Sequence, residues 1–384
     1  VGTASADVDL FDMVGLKLKN HSLHYNINLS YSKTHCKDFT WIAAWAQSNR
    51  VYLDKSNEKL TKGSRDYTDA LIENTLTYDG TIGKHHVNVV VGQTYEEEYT
   101  DELTGWAVNF PEPYFLQLQN GASTYSSSYE YKHAIASYIG RINYNYDEKY
   151  LLSAVVRRDG SSRLSKNIRW GTFPSVSVGW RVDKEKFFPF TPDVMNMFKI
   201  RGSYGVLGNE NIGEFMFQTT MNRNNMTYSF GNTPVTGSAV STFTDNNLAW
   251  EKKKTTNVGI DVAMFRNRLE FTFEWYKNVS EDLLYAVPVP AQAGVSNTTV
   301  TMNAASMENS GFEFSATYRN NDHDFKYQIG ANLSTLKNKV TSLGFGTESY
   351  ITGAYKTEVG QEIGFPLHAV VKTAGQTAFL FSVL

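Results

Sequence analysis

The sequence predicts an all-β fold: an antiparallel up-and-down transmembrane β-barrel of which this chain supplies only part. Three observations predict it. Apolar and polar residues alternate with period two along most of the 384 residues, and short polar turns alternate with long loops. Aromatic residues make up 14 % of the chain although its mean hydropathy is only -0.38. Period two is typical of strands, and alternating loop lengths are typical of outer-membrane barrels.

Composition excludes several other classes of protein. The aromatic content argues against disorder. The 36 Lys and Arg residues nearly balance the 39 Asp and Glu residues and form no cluster, so we expect no nucleic-acid partner. Cys36 is the one cysteine, which rules out an internal disulfide and a cysteine-rich metal site, and we expect no cofactor.

Hydropathy excludes a helical membrane protein and leaves a barrel open. No apolar stretch approaches the roughly 18 residues that a membrane-spanning helix needs, and residues 1–15 do not resemble a signal peptide. A barrel strand needs only about 9 to 11 alternating residues to cross the bilayer.

The alternation itself defines the predicted strands. From Leu269 to Trp275 every odd position is apolar or aromatic, and every even position is polar or charged. The same pattern predicts further strands within residues 23–31, 136–146, 175–182, 198–206, 257–264, 312–319 and 327–333.

The connections predict which end of the barrel each loop occupies. Short turns are predicted at residues 35–38, 79–84, 147–149, 265–268 and 320–324. Long loops are predicted at residues 54–65, 99–128, 159–170, 208–250 and 278–307. In a meander, successive connections lie at opposite ends, so the short turns face the periplasm and the long loops face the cell exterior. The connection 183–197 is an exception, because it is too long for a turn.

The two faces of the strands differ as the wall of a membrane barrel requires. An aromatic girdle is predicted at the short-turn end, formed by Tyr144, Tyr146, Trp180, Phe265 and Tyr318. The charged side chains lie on the opposite face, where a polar lumen would solvate them: Arg181, Arg201, Asp261, Glu270 and Glu274. A soluble β-sandwich also alternates, but ladders of Phe, Trp and Tyr fit less well into its packed core.

The predicted strand count is about a dozen, or about 32 residues per strand with its loop. A plugged transporter of about 22 strands would need roughly 700 residues at this rate, so the chain corresponds to roughly half of such a barrel. An open half-barrel would leave two unpaired edges in lipid. We therefore interpret residues 1–384 as one partial barrel domain that lacks a plug domain and the remaining strands.

Four segments resemble the SusC/RagA family of TonB-linked outer-membrane transporters, known from Bacteroides-type bacteria. They are residues 150–181, 198–213, 247–284 and 303–316, which follow one another in the order of the family. The resemblance covers roughly residues 75–364 and thins toward the N-terminus. After Pro366 the run AVVKTAGQTAFLFSVL departs from the pattern, and the chain finishes on Leu384 where barrels usually finish on an aromatic residue. We interpret this tail as a truncation or a change of reading frame.

The resemblance implies energised import through the bacterial outer membrane and no enzyme activity. Family members look like barrels surrounded by outer-membrane lipid and plugged by an N-terminal domain on which TonB pulls. A surface lipoprotein of the SusD type lids the barrel, and together they capture a glycan or a peptide. A soluble or surface glycan-binding β-protein and a passive porin remain the alternatives.

Two groups of residues are candidates for contact with the substrate. The segment 99–128 contains Trp106, Tyr114 and Phe115, and exposed aromatic rings are what sugar recognition uses; packing within the loop is the alternative. Arg157 and Arg163 flank a polar patch where a strand enters a long loop, so they are candidates for the pore mouth. The alternative is a turn made by Asp-Gly-Ser with solvated or paired arginines.

Other constellations point to no chemistry. The glycine-rich residues 205–213 lack the Lys-Ser/Thr of a phosphate-binding loop and read as a turn after a strand. His85 and His86 point to opposite faces of a strand, which makes them poor joint metal ligands. Glu270 and Glu274 share a face but lie about 13 Å apart, too far for a glycosidase pair. No set of nucleophile, base and oxyanion donors is discernible.

Overall fold

The computed structural model describes residues 1–43, 58–111, 114–222, 227–240, 242, 244–289, 292, 299–320, 325–344, 346–352, 355–366 and 376–383. Parts of several predicted connections lie outside these residues, namely 54–57, 112–113, 223–226, 241, 243, 290–291, 293–298 and 321–324, as do 367–375 and Leu384 of the tail. Among the described residues, no helix is both long and apolar enough to span a membrane.

The fold is the predicted all-β, up-and-down meander. Thirteen strands form one sheet in which each strand lies beside its neighbours in the sequence, from β1 to β13. Their bounds are β1 Gly2–Asp9, β2 His21–Ile42, β3 Lys59–Ile82, β4 His85–Val108, β5 Ser123–Tyr146, β6 Tyr150–Ser161, β7 Trp170–Arg181, β8 Met195–Asn209, β9 Glu251–Met264, β10 Leu269–Pro288, β11 Thr299–Asn320, β12 Tyr327–Ser342 and β13 Gln376–Val383.

The predicted alternation of short and long connections is confirmed at three of the predicted short turns, 79–84, 147–149 and 265–268. Two residues join β3 to β4, three join β5 to β6 and four join β9 to β10. Asp147 and Glu148 have φ of 54° and 53°, the left-handed conformation of tight hairpin turns. The connections of β1 to β2 at 10–20 and of β7 to β8 at 182–194 are longer than turns, and the second contains the short 3₁₀ helix Val182–Lys184.

The long connections carry small elements of their own. Between β8 and β9, Thr227–Phe230 pairs with Thr233–Thr236, and Met221–Asn222 pairs with Ala239–Val240. Between β12 and β13, Tyr355–Glu358 pairs with both Ser349–Thr352 and Phe365–Pro366. A one-turn helix, Leu10–Met13, follows β1, and the side chain of Asp9 accepts a hydrogen bond from the Phe11 amide at 2.9 Å.

The predicted turn at residues 35–38 is wrong, because these residues lie inside β2. Their polar side chains suggested a turn, yet His35 has a partner on β3: its imidazole lies 2.5 Å from the Asp66 carboxylate, which also pairs with the nearby Lys33 at 3.2 Å. The long loops predicted at 99–128 and 278–307 are also shorter than expected, since β4, β5, β10 and β11 extend into them.

The chain divides into two compact units, and the first consists of residues 1–7, 26–74 and 93–136. Its apolar cluster contains Leu60, Ala107 and Phe110, with Trp41 and Leu118 packed against them. The Trp41 and Phe110 rings meet edge to face with their centroids 5.2 Å apart. Phe110 is therefore a core residue.

The second unit consists of residues 8–25, 75–92 and 137–384. Its larger apolar cluster gathers residues from two connections and one strand: Leu164, Phe173, Ile212, Leu248 and Trp250. The Trp250 indole also donates to the Arg169 carbonyl at 2.8 Å. This cluster holds parts of the long connections 162–169 and 210–250 against Phe173 of β7, and Val206 of β8 and Leu284 of β10 pack against it.

Two glycines in this unit sit beneath large side chains of the same or neighbouring strands. A Cβ on Gly311 would lie 1.9 Å from the Thr335 carbonyl oxygen and 2.8 Å from the Tyr276 hydroxyl. A Cβ on Gly208 would lie 2.1 Å from the ring of Phe173. Only glycine leaves room for these close approaches.

Candidate functional site

The sheet from β6 to β12 carries an apolar face that runs unbroken across the strands. Cross-strand pairing places apolar residues side by side on this face, in the row Trp180, Ile200, Ile260, Phe273, Phe314 and Leu333. Its side chains are not packed into a closed core, because Val178, Val258 and Phe312 are 55 %, 49 % and 50 % exposed. The face has the character of a surface that contacts lipid.

The opposite, polar face carries paired charges. Arg201 contacts Asp261 at 3.2 Å and Glu274 at 2.5 Å. Arg319 contacts Glu270 at 2.7 Å and donates to the Gln328 side chain at 3.0 Å. Glu270 and Glu274 therefore serve in separate ion pairs, as their predicted separation requires. These half-buried pairs suit a wall that faces water and other polar groups.

Aromatic side chains border the apolar face at both ends. At the short-turn end, Glu185 accepts from the Tyr150 hydroxyl at 2.6 Å and from the Trp180 indole at 3.3 Å. At the other end, Tyr138 and Trp170 stack with centroids 6.0 Å apart. Trp170 and Trp180 are ten residues apart on β7, which is about 33 Å along a strand and about 25 Å across a bilayer at the usual barrel tilt.

Ion pairs connect the neighbouring short turns of the second unit. Lys84 contacts Asp147 at 2.8 Å, and Lys149 contacts Glu185 at 3.5 Å. Lys184 also pairs with Glu148. The hydrogen bond from Lys84 is the main reason that the pKa of the Asp147 carboxyl is lowered from its usual value. This network ties three connections together at the short-turn end.

The predicted aromatic site is only partly assembled. Trp106 lies on β4 and stacks on Tyr125 of β5, with centroids 5.5 Å apart and planes 15° from parallel, while the Lys59 ammonium lies 5.4 Å above its ring. Tyr114 and Phe115 lie in the connection 109–122 and are 81 % and 67 % exposed. Sequence reasoning missed Lys59, because nothing local links it to a tryptophan 47 positions later.

A cavity of about 710 Å³ lies beside this stack in the first unit. Tyr125 is part of its lining, together with Phe39, Lys62, Leu103 and Leu118. Lys62 lies 5.9 Å above the Phe39 ring and donates to the Gln117 side chain at 2.9 Å. The first unit thus combines exposed rings with ammonium groups.

The two candidate arginines lie in different ion pairs. Arg157 donates to Asp159 at 2.7 Å and to the Ser137 hydroxyl at 3.2 Å. Arg163 donates to Glu214 at 2.7 Å, which attaches the connection after β6 to the connection after β8. Ser161 is fully buried and accepts from the Arg163 amide at 3.1 Å. A role of Arg157 and Arg163 in substrate contact stays a prediction.

The two histidines His85 and His86 have different partners, as their predicted positions on opposite faces require. His85 accepts or donates at the Tyr144 hydroxyl at 2.7 Å, whereas His86 contacts Thr81 at 3.0 Å and Asp79 at 3.6 Å. Within the described residues, no three His, Cys, Asp or Glu side chains are placed to hold a metal ion. Residues 205–209 of the glycine-rich run belong to β8, and Ile212 joins the apolar cluster.

Comparison with known proteins decides the family. A family model described as TonB dependent receptor-like, beta-barrel matches residues 3–378. The chain belongs to this family. The SusC/RagA resemblance and the outer-membrane location that it implied are therefore confirmed.

The sequence is also similar to several TonB-dependent receptors. TonB-dependent receptor P3 of Formosa agariphila is 35 % identical over 294 residues, which cover 76 % of this chain and 29 % of that protein. TonB-dependent receptor SusC of Bacteroides thetaiotaomicron is 31 % identical over 304 residues, which cover 77 % of this chain and 30 % of that protein. The chain thus spans less than a third of the length of these relatives.

Solved structures show the same fold. The RagAB peptide transporter matches 94 % of this chain and 39 % of its own, with a TM-score of 0.75 at 23 % identity. The same transporter in its open-open state matches with a TM-score of 0.71 at 24 % identity.

Three strands of this receptor barrel are longer than a strand that only crosses the membrane needs to be. The strands β3, β4 and β5 each contain 24 residues, whereas about 9 to 11 suffice to cross the bilayer. More than half of each strand therefore lies outside the hydrocarbon. The stack of Trp106 on Tyr125 belongs to these surplus portions, at the ends where β4 and β5 meet their long connection.

Proposed function

We propose that this receptor barrel forms part of a TonB-dependent importer that carries an oligosaccharide or a peptide across the outer membrane, and that it is not an enzyme. The observation that carries the proposal is the family match over residues 3–378 on a sheet with one apolar and one polar face. The named relatives SusC and P3 are TonB-dependent receptors, which supports energised import over a passive porin.

The proposed partners follow from the same relationship. A SusD-like surface lipoprotein would cover the long-loop end, and TonB would act through a plug domain outside this sequence. The apolar face would lie against outer-membrane lipid. The polar face, with Arg201 and Arg319 in ion pairs, would line the lumen through which the substrate passes.

Within this proposal, Trp106 is the leading candidate for a substrate contact. Its stack with Tyr125 presents an aromatic platform, and sugars bind to such rings through their C–H faces. Lys59 and Lys62 add ammonium groups that can donate hydrogen bonds to hydroxyls or carboxylates. The exposed Tyr114 and Phe115, and the paired Arg157 and Arg163, are the further proposed contacts.

Uptake of labelled oligosaccharides and peptides by cells that make the full-length protein tests the function. Uptake is expected to disappear when TonB or the proton-motive force is removed. Uptake that persists would identify a passive porin. Recovery of the protein in the aqueous phase after detergent partitioning would identify a soluble or surface binder.

The substrate contact is tested by Trp106→Ala in the full-length protein. We expect binding of the transported oligosaccharide to weaken roughly 5- to 100-fold, the range for loss of one aromatic contact. Tyr204→Ala is the matched control, because Tyr204 is an exposed aromatic residue on the apolar face. Equal affinities of both variants and the wild type would remove Trp106 from the site.

A further inference from the structure

The apolar face ends in lysines at its long-loop end. From Leu269 to Trp275 on β10 and from Tyr318 to Phe312 on β11, each position on this face is apolar or aromatic. Continuing along the same face toward the long connections, the next residues include Lys277 on β10 and Lys337 and Lys339 on β12. Cations therefore mark one border of the apolar face.

Pairing brings these three lysines together. Ser310 on β11 pairs with Lys277 on one side and with Lys337 on the other. Two strand spacings separate Lys277 from Lys337, about 10 Å, and Lys339 lies two residues further along β12, about 7 Å away. We call Lys277, Ser310, Lys337 and Lys339 the border patch.

The border patch carries excess positive charge. Lys277 pairs with Glu308 at 2.9 Å. Lys337 and Lys339 are exposed, and Glu308 lies directly across from Lys339 in the strand pairing. Residues 360–363 also hydrogen-bond to Asn338 and Val340, which brings the backbone of Glu362 beside Lys339. Three ammonium groups thus lie near two carboxylates, which leaves an excess of positive charge, and Ser310 lies between Lys277 and Lys337 in the strand pairing.

A second cation occupies the same border on β6. The Arg158 guanidinium lies 5.5 Å above the Trp170 ring, and Trp170 stacks on Tyr138. Arg158 pairs with Thr172, which shares the face of Trp170 and Val178. An aromatic ring at the bilayer interface with a cation above it is suited to the headgroup region.

We propose that the border patch binds the phosphate groups of lipid headgroups in the outer leaflet. Long loops of such barrels face the cell exterior, so this border meets the outer leaflet. Lysines at a bilayer surface attract anionic headgroups, and ammonium and hydroxyl groups are phosphate donors. The adjoining Phe312 and Phe314 are exposed on the same face, where the acyl chains of that lipid would lie. This inference concerns the lipid and does not depend on the transported substrate.

Lipid retention by the full-length protein tests the proposal. The wild type and the double variant Lys337→Gln/Lys339→Gln are purified in mixed micelles that contain bisphosphorylated lipid A, and retained lipid is counted by native mass spectrometry. We expect the affinity of the double variant for this lipid to fall roughly 10- to 30-fold, because each lysine near a charged surface contributes independently. Dephosphorylated lipid A should bind both proteins equally weakly.

Lys253→Gln is the matched control, because Lys253 alternates with the residues of the apolar face on β9 and lies on the polar face. It should retain lipid A as the wild type does, and heat-modifiable migration should show that all three proteins are folded. A large excess of inorganic phosphate should leave retention unchanged if the lipid as a whole is the ligand. The proposal would be overturned if the double variant retained lipid A as well as the wild type does, or if the wild type bound dephosphorylated lipid A as tightly as the bisphosphorylated form. Loss of a co-purifying protein in place of lipid would also overturn it.

Discussion

At Gly311 on β11, the absence of a side chain allows a hydrogen bond to pass from β10 to β12. Tyr276 pairs with Gly311, passes over it and donates its hydroxyl to the Thr335 carbonyl at 3.1 Å. Between β11 and β12, the Phe312 amide also donates to the Thr335 hydroxyl at 2.9 Å. One small residue on β11 therefore joins β10 directly to β12.

Gly311→Ala is expected to destabilise the barrel by about 2 to 4 kcal/mol, because its Cβ would overlap a backbone oxygen and displace Tyr276. Urea titration of the full-length protein in detergent measures this. Gly202→Ala is the control, since its Cβ would meet nothing nearer than 3.9 Å and should change stability by less than about 1 kcal/mol. Equal midpoints for the two variants would contradict the close approach.

Asp183 makes the stability of the β7 to β8 connection depend on pH. Burial acts to raise the pKa of its carboxyl, but hydrogen bonds from Arg181 and from the Phe198 amide outweigh burial, so the pKa is lowered. A carboxyl with a lowered pKa in the folded state stabilises the protein above its usual pKa. That contribution is lost as pH falls below about 4 and passes the lower, folded-state value.

Asp183→Asn should therefore lower the free energy of unfolding by about 1 to 2 kcal/mol near neutral pH. On acidification, the variant should lose less stability than the wild type does. Unfolding midpoints measured at about pH 7 and about pH 3 give both quantities. Asp193→Asn, whose carboxyl is exposed in the same connection, serves as control. Parallel acid profiles for wild type and Asp183→Asn would refute the assignment.

Individual pairs were the least predictable feature from the sequence. The patch of Arg157 and Arg163 was visible as a charged segment, but Glu214, the partner of Arg163, lies 51 residues later. The stack of Trp106 on Tyr125 depends on how β4 and β5 align, and the connection between them has no turn signature from which this alignment could be predicted. Long-range register determines such contacts, and local patterns do not encode it.

At the scale of strands, the sequence predicted best where one face is apolar. The alternation from Leu269 to Trp275 placed each side chain of β10 on the face that it occupies, and the same holds for β7, β9 and β11. It failed where both faces are polar, as at residues 35–38, because hydropathy no longer alternates there although the strand continues. Strand ends were misplaced in β4 and β5 for the same reason.

Phe314→Lys tests the assignment of the faces. Lysine on the lipid-facing side of a barrel near the bilayer midplane costs about 2 to 4 kcal/mol, so the folded yield should fall sharply. Ser315→Lys is the neighbouring control, because its side chain lies on the polar face and should leave folding nearly unchanged. The fraction of heat-modifiable protein in outer-membrane preparations measures both. A reversed order of yields would mean that the faces are assigned the wrong way round.

At the scale of the molecule, the two edge strands of the sheet determine whether the chain is stable on its own. In the described residues the sheet runs from β1 to β13 as a linear series, so each of these two strands has one neighbour within the sheet. Backbone groups at such an edge need partners in lipid, and each unsatisfied group costs several kcal/mol. The sum over one strand exceeds the free energy that typically stabilises a domain.

The 384-residue chain expressed alone should therefore not form a stable monomeric barrel. Refolding in detergent micelles, followed by limited proteolysis and sizing, is expected to give protease-sensitive or associated material. The full-length protein refolded in the same way provides the comparison. A compact, protease-resistant monomer of the 384-residue chain would show that these edges pair with one another.

The side chains that cover glycines on neighbouring strands have a consequence for how this wall can diversify. Tyr276 packs over Gly311, and Phe173 packs over Gly208. A shift of the strand register by one residue would therefore make each ring clash with a neighbouring residue of the sheet. These contacts between strands fix the register of the sheet, so the connections at these strands do not have to fix it. The stretch 210–250 between β8 and β9 can therefore be lengthened, shortened or exchanged while the strands keep their places. The long connections can therefore change, and with them the ligand specificity, while the strands of the sheet stay the same.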